Sequence, residues 1–295
     1  MKTYKIKSYA KINLYLEVLK KRKDHYHQIV TLFERIDLSD QISIRPRADK
    51  AIRIISTHPD IPKDKTNLAY RAADFLKRGF AIERGVDIKI DKRIPVACGL
   101  AGGSSNAASA LLLLNRLWKL KLTRKELIAY GKKLGADVPF FLADTAFALG
   151  MGRGDDIRPL RTIKKRFWHV LVVPRLKVST QKVYLRLDEL LGKKKVVRLT
   201  NTGNDVKILL HRLKQAKIPL LRNSLFNRLQ MSTLNLYPQL NQLKNLILDS
   251  GLPAVQMSGS GPAMYGIFSS KKEASARCRK LSGHRKYDTF IARTC

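Results

Sequence analysis

Pro95-Val-Ala-Cys-Gly-Leu-Ala-Gly-Gly-Ser-Ser-Asn-Ala-Ala-Ser-Ala-Leu111 joins a strand-like segment to a helix-like one. Upstream, Val86, Ile88 and Ile90 alternate with Asp87 and Lys89, the period of a half-buried strand. Downstream, Ala107 to Trp118 is a largely apolar run of good helix formers, which predicts a buried helix. Between them stand Gly99, Gly102 and Gly103, then Ser104, Ser105 and Asn106, residue types that favour a helix N-cap.

A strand, a glycine loop and a helix start form a junction suited to anions. The first helical turn carries unpaired N–H donors and the positive end of the macrodipole. Glycines let a phosphate approach the backbone, and hydroxyls add donors or metal contacts. The structural alternative is an ordinary glycine turn capping a core helix; the two serines and the Asn favour phosphate. The GxxxxGK[ST] loop is excluded because Gly103 stands where its Lys belongs, and GxGxxG is absent.

At 295 residues the chain is expected to fold as two α+β domains, residues 1–155 and 156–295, with the border near 153–165 where composition turns basic. No run of eighteen apolar residues occurs, so no membrane contact is expected. The N-terminus enters strand-like alternation directly, without a secretory or transit pattern. Cys98, Cys278 and Cys295 are far apart and odd in number, which fits a reducing cytoplasm and neither a disulfide framework nor a zinc site. The net charge of +35 raises a nucleic-acid alternative, but the cations are dispersed and no base-reading motif accompanies them. Such a field also draws in anionic small molecules.

Residues 4–19 alternate as a strand or two, with Lys11 and Asn13 on the face opposite Ile12 and Leu14. Taken alone, that polar pair is expected to face water. A charged connection, Lys21–His27, leads to strand-like Ile29–Ile44, with turn signals at Asp37–Asp40. Asn67 opens a helix through Leu76 that stops at Gly79. Thr123 and Glu126 form a capping box for a helix ending at Gly135, and Asp137 reads as the N-cap of a short helix with Pro139 in its first turn. Thr145–Gly154 reads as a strand closing in a glycine-rich turn. Further on, the pattern predicts strands at Val170–Val173, Ala263–Phe268 and Thr289–Ala292. Helices are predicted at Val178–Leu191, Ile208–Ala216, Leu225–Met231, Leu236–Leu248 and Lys271–Leu281, with an exposed connection over 192–204.

Ala10-Lys-Ile-Asn-Leu14, Tyr26-His27, Pro95–Ser105 with Asn106-Ala-Ala108, and Gly135-Ala-Asp-Val-Pro139 together resemble the 4-diphosphocytidyl-2-C-methylerythritol kinases of the GHMP superfamily. Ser258-Gly-Ser-Gly-Pro262 is similar to that superfamily's C-terminal glycine motif. The resemblance implies a two-domain GHMP kinase fold, its N-terminal half like a ribosomal-protein domain and its C-terminal half ferredoxin-like. It also implies transfer of the ATP γ-phosphoryl group, with Mg²⁺ on the nucleotide, to the tertiary hydroxyl of a cytidine-diphosphate-linked methylerythritol, a step of non-mevalonate isoprenoid synthesis.

Carried over residue by residue, the resemblance makes Asp137 the general base and Lys11 the group that orients the nucleophile and offsets charge. The backbone of Pro95, Val96, Ala97, Cys98, Gly99, Leu100, Ala101, Gly102, Gly103, Ser104, Ser105 and Asn106 would cradle the triphosphate, with Ser104 or Ser105 near Mg²⁺. Asn67 and Leu68 would border the adenine. Tyr26 would stack on the cytosine with Tyr184 opposite, His27 would read its polar edge, and Asn13 would contact the polyol. No metal ligands are assigned. A monomer or weak homodimer is expected. The alternatives are a mevalonate- or homoserine-kinase-like enzyme, or a basic nucleic-acid-binding protein. The sequence departs from the family pattern where His25 stands before the Tyr-His pair in place of a common glycine, straining or re-shaping that turn, and where Ala97, Cys98 and Ala101 replace glycines of some relatives. The loop is expected to tolerate these side chains because Gly99, Gly102 and Gly103 remain, whereas a site that required positive φ would change how it cradles phosphate.

Overall fold

The computed structural model describes residues 2–192, 206–252 and 254–295. The first half runs β1 (Tyr4–Lys21), β2 (His27–Pro46), β3 (Ile52–Ile55), α1 (Leu68–Gly79), β4 (Val86–Asp91), α2 (Gly102–Leu117), α3 (Arg124–Leu134), α4 (Val138–Leu142), β5 (Phe147–Met151) and β6 (Asp156–Pro159). The second half runs β7 (Trp168–Pro174), α5 (Thr180–Leu191), α6 (Val206–Gln215), α7 (Ile218–Arg222), β8 (Phe226–Asn227), α8 (Arg228–Leu236), α9 (Pro238–Asp249), β9 (Gln256–Met257), β10 (Met264–Phe268), α10 (Lys271–Leu281) and β11 (Tyr287–Arg293).

The alternating N-terminal segments each form one long strand. β1 and β2 pair antiparallel along most of their length, and the signals at Asp37–Asp40 mark a bulge in place of the expected turn. Tyr9 faces Ser39 while Ala10 faces Ile36, so Asp37 and Leu38 have no partners in the ladder. An insertion of that kind bends the strand without ending it. The sheet runs β3-β4-β2-β1-β8, with β5 paired to β2 and β6 paired to β5. Both β6, beyond residue 155, and β8, from the far half, belong to it. A second, antiparallel sheet runs β11-β7-β10-β9.

Helices α1 and α2 cover one face of the first sheet, burying Ala72, Leu76, Ala107, Leu111 and Leu114 against Ile42, Ile44, Ile88 and Ile90. Ile12 and Leu14 of β1 point the other way and share a core with Leu171 and Tyr265 of the second sheet. β1 is therefore packed on both sides. Lys11 and Asn13, expected to face water, are only 4% and 2% exposed.

Several boundaries differ from the sequence expectation. α2 begins at Gly102, well before Ala107, and its N-cap is Ala101 in a left-handed conformation, not Ser104, Ser105 or Asn106. Glycine at the first two helical positions leaves room for the chain to turn early. The run expected to be helical from Leu225 begins as the short strand β8, paired parallel to Tyr15 and Leu16. Pro238 separates α8 from α9, as its missing N–H requires. β3, β6 and α7 were not anticipated; each is four or five residues long, too short for periodicity to register. Apart from Gly192, the connection expected over 192–204 lies outside the described residues.

Candidate active site

A cavity of about 1020 Å³ opens between the two halves. Every residue singled out from the sequence as catalytic, nucleotide-binding or substrate-binding lines it, except Leu100 and Ser105. Leu100 is 1% exposed and belongs to the core beneath the loop. The Ser105 hydroxyl accepts from Ser8 Oγ at 2.8 Å, while Ser104 remains on the cavity wall.

The glycine loop is held from both halves of the chain. Lys11 N–H donates to the Leu100 carbonyl at 3.1 Å, and Ala263 N–H donates to the Cys98 carbonyl at 3.1 Å. Gly99 has φ +85°, and a Cβ there would lie 2.1 Å from the Ser258 carbonyl oxygen. The C-terminal glycine motif thus seats directly on the loop, which no side chain at Gly99 would permit. Ala97 and Ala101 also take positive φ, 54° and 55°, a conformation that favours glycine. Ala97 and Ala101 are therefore sites of backbone strain that the contacts on either side sustain, whereas Cys98 is not among the residues with positive φ.

Beneath the start of α2 lies a buried polar network. Asp40, 1% exposed, accepts from Lys92 Nζ at 2.5 Å, from Asn106 Nδ2 at 2.8 Å, and from the backbone N–H groups of Arg93 and Ile94. A Cβ on Gly102 would meet Lys92 Nζ at 2.7 Å. The ammonium therefore sits against the first turn of α2, where unpaired N–H groups already favour an anion. Asn106 takes part in this network and does not cap the helix. Around Gly103 the protein leaves space, with Leu68 Cδ1 at 4.0 Å the one neighbour a Cβ would meet.

Lys11 and Asp137 converge beside this helix start, Nζ standing 3.8 Å from Oδ2. Lys11 Nζ donates to Asn13 Oδ1 at 2.7 Å and to the Gly99 carbonyl at 3.1 Å. Asn13 is held by its own donation to Thr31 Oγ1 at 2.8 Å. Burial lowers the Lys11 pKa from its ordinary value, and the Asp137 charge opposes that shift. Asp137 occupies the predicted N-cap position of α4, but its side chain makes no capping bond there. Its carboxylate is left free to face the ammonium, and its side chain is 32% exposed.

The other end of the cavity is aromatic. His27 stacks on Tyr184 with ring centroids 4.9 Å apart and planes inclined by 24°. The Arg153 guanidinium lies 5.0 Å from the centre of the Tyr26 ring, and Tyr26 is 54% exposed. Burial pushes the Tyr184 phenol well above its ordinary pKa, and the Asp137 charge adds to the shift. His25, before Tyr26, takes φ 64°, so the turn presenting the ring is strained where a glycine would relax it.

Sequence reading missed Lys92, Arg153 and Asp188 on the cavity wall. Asp188 had a legible signal: it lies one helical turn after Tyr184, on the same helix face. The partnership of Lys92 with Asp40 had none, because it joins the residue just after β4 to the middle of β2 through the interior.

The GHMP kinase N-terminal domain family matches residues 67–145, and the GHMP kinase C-terminal family matches 207–286. The 4-diphosphocytidyl-2-C-methyl-D-erythritol kinase of Alkaliphilus oremlandii is 42% identical over 96% of this chain and 94% of its own. That of Gloeobacter violaceus is 37% identical over 100% of this chain and 95% of its own. A crystal structure of 4-(cytidine 5'-diphospho)-2C-methyl-D-erythritol kinase superposes with a TM-score of 0.79 at 31% identity, covering 98% of each chain. The homoserine kinase of Cytophaga hutchinsonii, at 19% identity and a TM-score of 0.70, shares the fold.

Proposed function

The chain belongs to the 4-diphosphocytidyl-2-C-methyl-D-erythritol kinase family of the GHMP kinases, and we propose that the Lys11–Asp137 pair carries out the transfer this family performs. The enzyme phosphorylates the 2-hydroxyl of 4-diphosphocytidyl-2-C-methyl-D-erythritol from ATP, in the non-mevalonate route to isoprenoid precursors. The observation that carries the residue assignment is the 3.8 Å approach of Lys11 to Asp137 beside the α2 N-terminus.

The surroundings of each residue support its proposed part. Asp137 takes the proton of the attacking hydroxyl, and Lys11 orients that oxygen and offsets charge on the transferring group. Asn13 fixes Lys11 and keeps one amide hydrogen for a substrate hydroxyl. The N–H groups of Gly102, Gly103 and Ser104, with Lys92 behind them, receive the phosphates. Asn67 and Leu68 border the base of ATP. Tyr26, His27 and Tyr184 take the cytosine by stacking and edge contacts.

Mg²⁺ fits this site as a companion of the nucleotide. Among the described residues no group of three His, Cys, Asp or Glu gathers to hold an ion. A hydroxyl is available: Ser104 Oγ would lie 3.8 Å from a Cβ built on Gly135, beside the turn that carries Asp137. Such a site suits an ion that keeps its waters and binds mostly to phosphate oxygens. When bound, Mg²⁺ would neutralise the β- and γ-phosphates, with Ser104 as its protein contact. A cytoplasmic setting agrees with three free cysteines, and among the described residues no helix is long and apolar enough to cross a membrane.

The test is ADP release by the purified protein with Mg-ATP and a panel of alcohols. Turnover should require the cytidylylated methylerythritol. Preference for mevalonate or homoserine would overturn the assignment of Tyr26 and His27. Salt-resistant nucleic-acid binding without turnover would overturn the kinase reading itself.

A further inference from the structure

Two side chains of α5, one helical turn apart, grip the same imidazole. Tyr184 stacks on the His27 ring, and Asp188 Oδ1 lies 2.7 Å from its Nε2. The second carboxylate oxygen, Oδ2, accepts from Lys21 Nζ at 2.9 Å, so Asp188 is itself anchored at the end of β1. Burial raises the pKa of this carboxyl, but hydrogen bonds from Lys21 and His27 outweigh it and hold the group below its ordinary value. An ionised carboxylate only accepts hydrogen bonds. His27 must therefore carry a proton on Nε2. In the neutral ring that leaves Nδ1 as a bare acceptor, and among the described residues nothing hydrogen-bonds it. His27, Tyr184 and Asp188 all line the cavity.

We propose that Asp188 is a positioning residue that sets the base specificity of the site, by fixing the His27 tautomer whose Nδ1 accepts from an exocyclic amine. Cytosine offers an amine at the 4-position; uracil offers a carbonyl there, whose lone pairs would oppose those of Nδ1. The inference rests on the reading of His27 as the residue facing the pyrimidine edge. It adds that discrimination between amino- and oxo-pyrimidines is imposed from the C-terminal half of the chain, through a residue that need not touch the base. Second-sphere carboxylates that fix imidazole tautomers act similarly at metal sites, where removing them costs about 10- to 100-fold.

Two measurements on the full-length enzyme test this. Nitrogen-15 NMR of the free protein should show His27 protonated at Nε2 in the wild type, and a mixture of tautomers in Asp188→Asn and Asp188→Ala. The ratio of kcat/KM for the cytidine-linked substrate over its uridine-linked analogue should fall about tenfold or more in both variants, with the loss falling mainly on KM. Asp188→Glu should recover part of the ratio. The proposal is overturned if His27 keeps its Nε2 proton in Asp188→Ala, or if the ratio is unchanged while activity falls, the result of a purely structural role. A wild-type enzyme indifferent to cytidine and uridine would overturn both the specificity claim and the reading of His27. The tautomer measurement would then show separately whether Asp188 fixes the ring.

Discussion

Lys11 Nζ and Asp137 Oδ2 stand 3.8 Å apart, too far for a hydrogen bond and close enough that one oxygen can sit within hydrogen-bond reach of both. Lys11 is already spanned by Asn13 and Gly99, so the ammonium does not collapse onto the carboxylate.

Replacing the proposed base, Asp137, by its amide while keeping its shape should separate chemistry from binding. Asp137→Asn is expected to lower kcat by about a thousandfold, within the range for a lost general base. The KM for ATP should stay within about threefold, because Asp137 lies beside the proposed phosphate cradle and not in it. Single-turnover kinetics with nucleotide-binding titrations check both. A kcat near wild type would remove Asp137 from the mechanism.

Gly99 in the loop and Gly103 in the first turn of α2 should respond in opposite ways. Gly103→Ala puts a methyl group into open space at a helical position, so thermal stability should be kept or slightly raised. The same methyl would intrude on the proposed phosphate site, and the KM for ATP should rise about tenfold, equivalent to about 1.4 kcal/mol. Gly99→Ala instead drives a Cβ toward the Ser258 carbonyl at positive φ and should destabilise the fold by about 2 kcal/mol or more. Comparable stability losses at both positions would contradict this account.

The strained alanines offer a test on stability alone. Ala97→Gly and Ala101→Gly relieve a left-handed backbone, worth about 1 kcal/mol, against an entropic loss of similar or smaller size. Denaturant unfolding should find them neutral or stabilising. The same change at Ala110, inside α2 and fully buried, should cost about 1 kcal/mol or more.

Acid should loosen the sheet that feeds the loop. Asp87 of β4 is flanked by Arg45 and Arg53 on the neighbouring strands and is reached by Arg47. Burial pushes its carboxyl up, but hydrogen bonds from Arg53, Arg47 and Arg45 win and hold its pKa at about 2. Because the folded value lies below the unfolded one, the stabilisation is present above about pH 4 and lost as pH falls toward 2. Wild type should exceed Asp87→Asn by about 2 kcal/mol near pH 7, with the two converging near pH 2. A constant difference across that range would assign the effect to packing.

Short-range chemistry was legible along the chain. Gly99, Gly102 and Gly103 between an alternating run and an apolar run announced the strand, loop and helix start, and Asn67 and the Thr123–Glu126 capping box lie where their side chains bond to nearby N–H groups. These features depend on neighbours within a few residues, so spacing alone specified them. From spacing alone, Lys11 reads as an exposed strand lysine and Asp137 as a helix cap; only the family resemblance joins them. Tertiary structure decided that β1 is buried on both faces, that Asn106 serves Asp40 and not a cap, and that Asp188 reaches back to His27. Those outcomes depend on which polar groups lose water together. Desolvation of that kind is set by residues distant in sequence, and no local pattern encodes it.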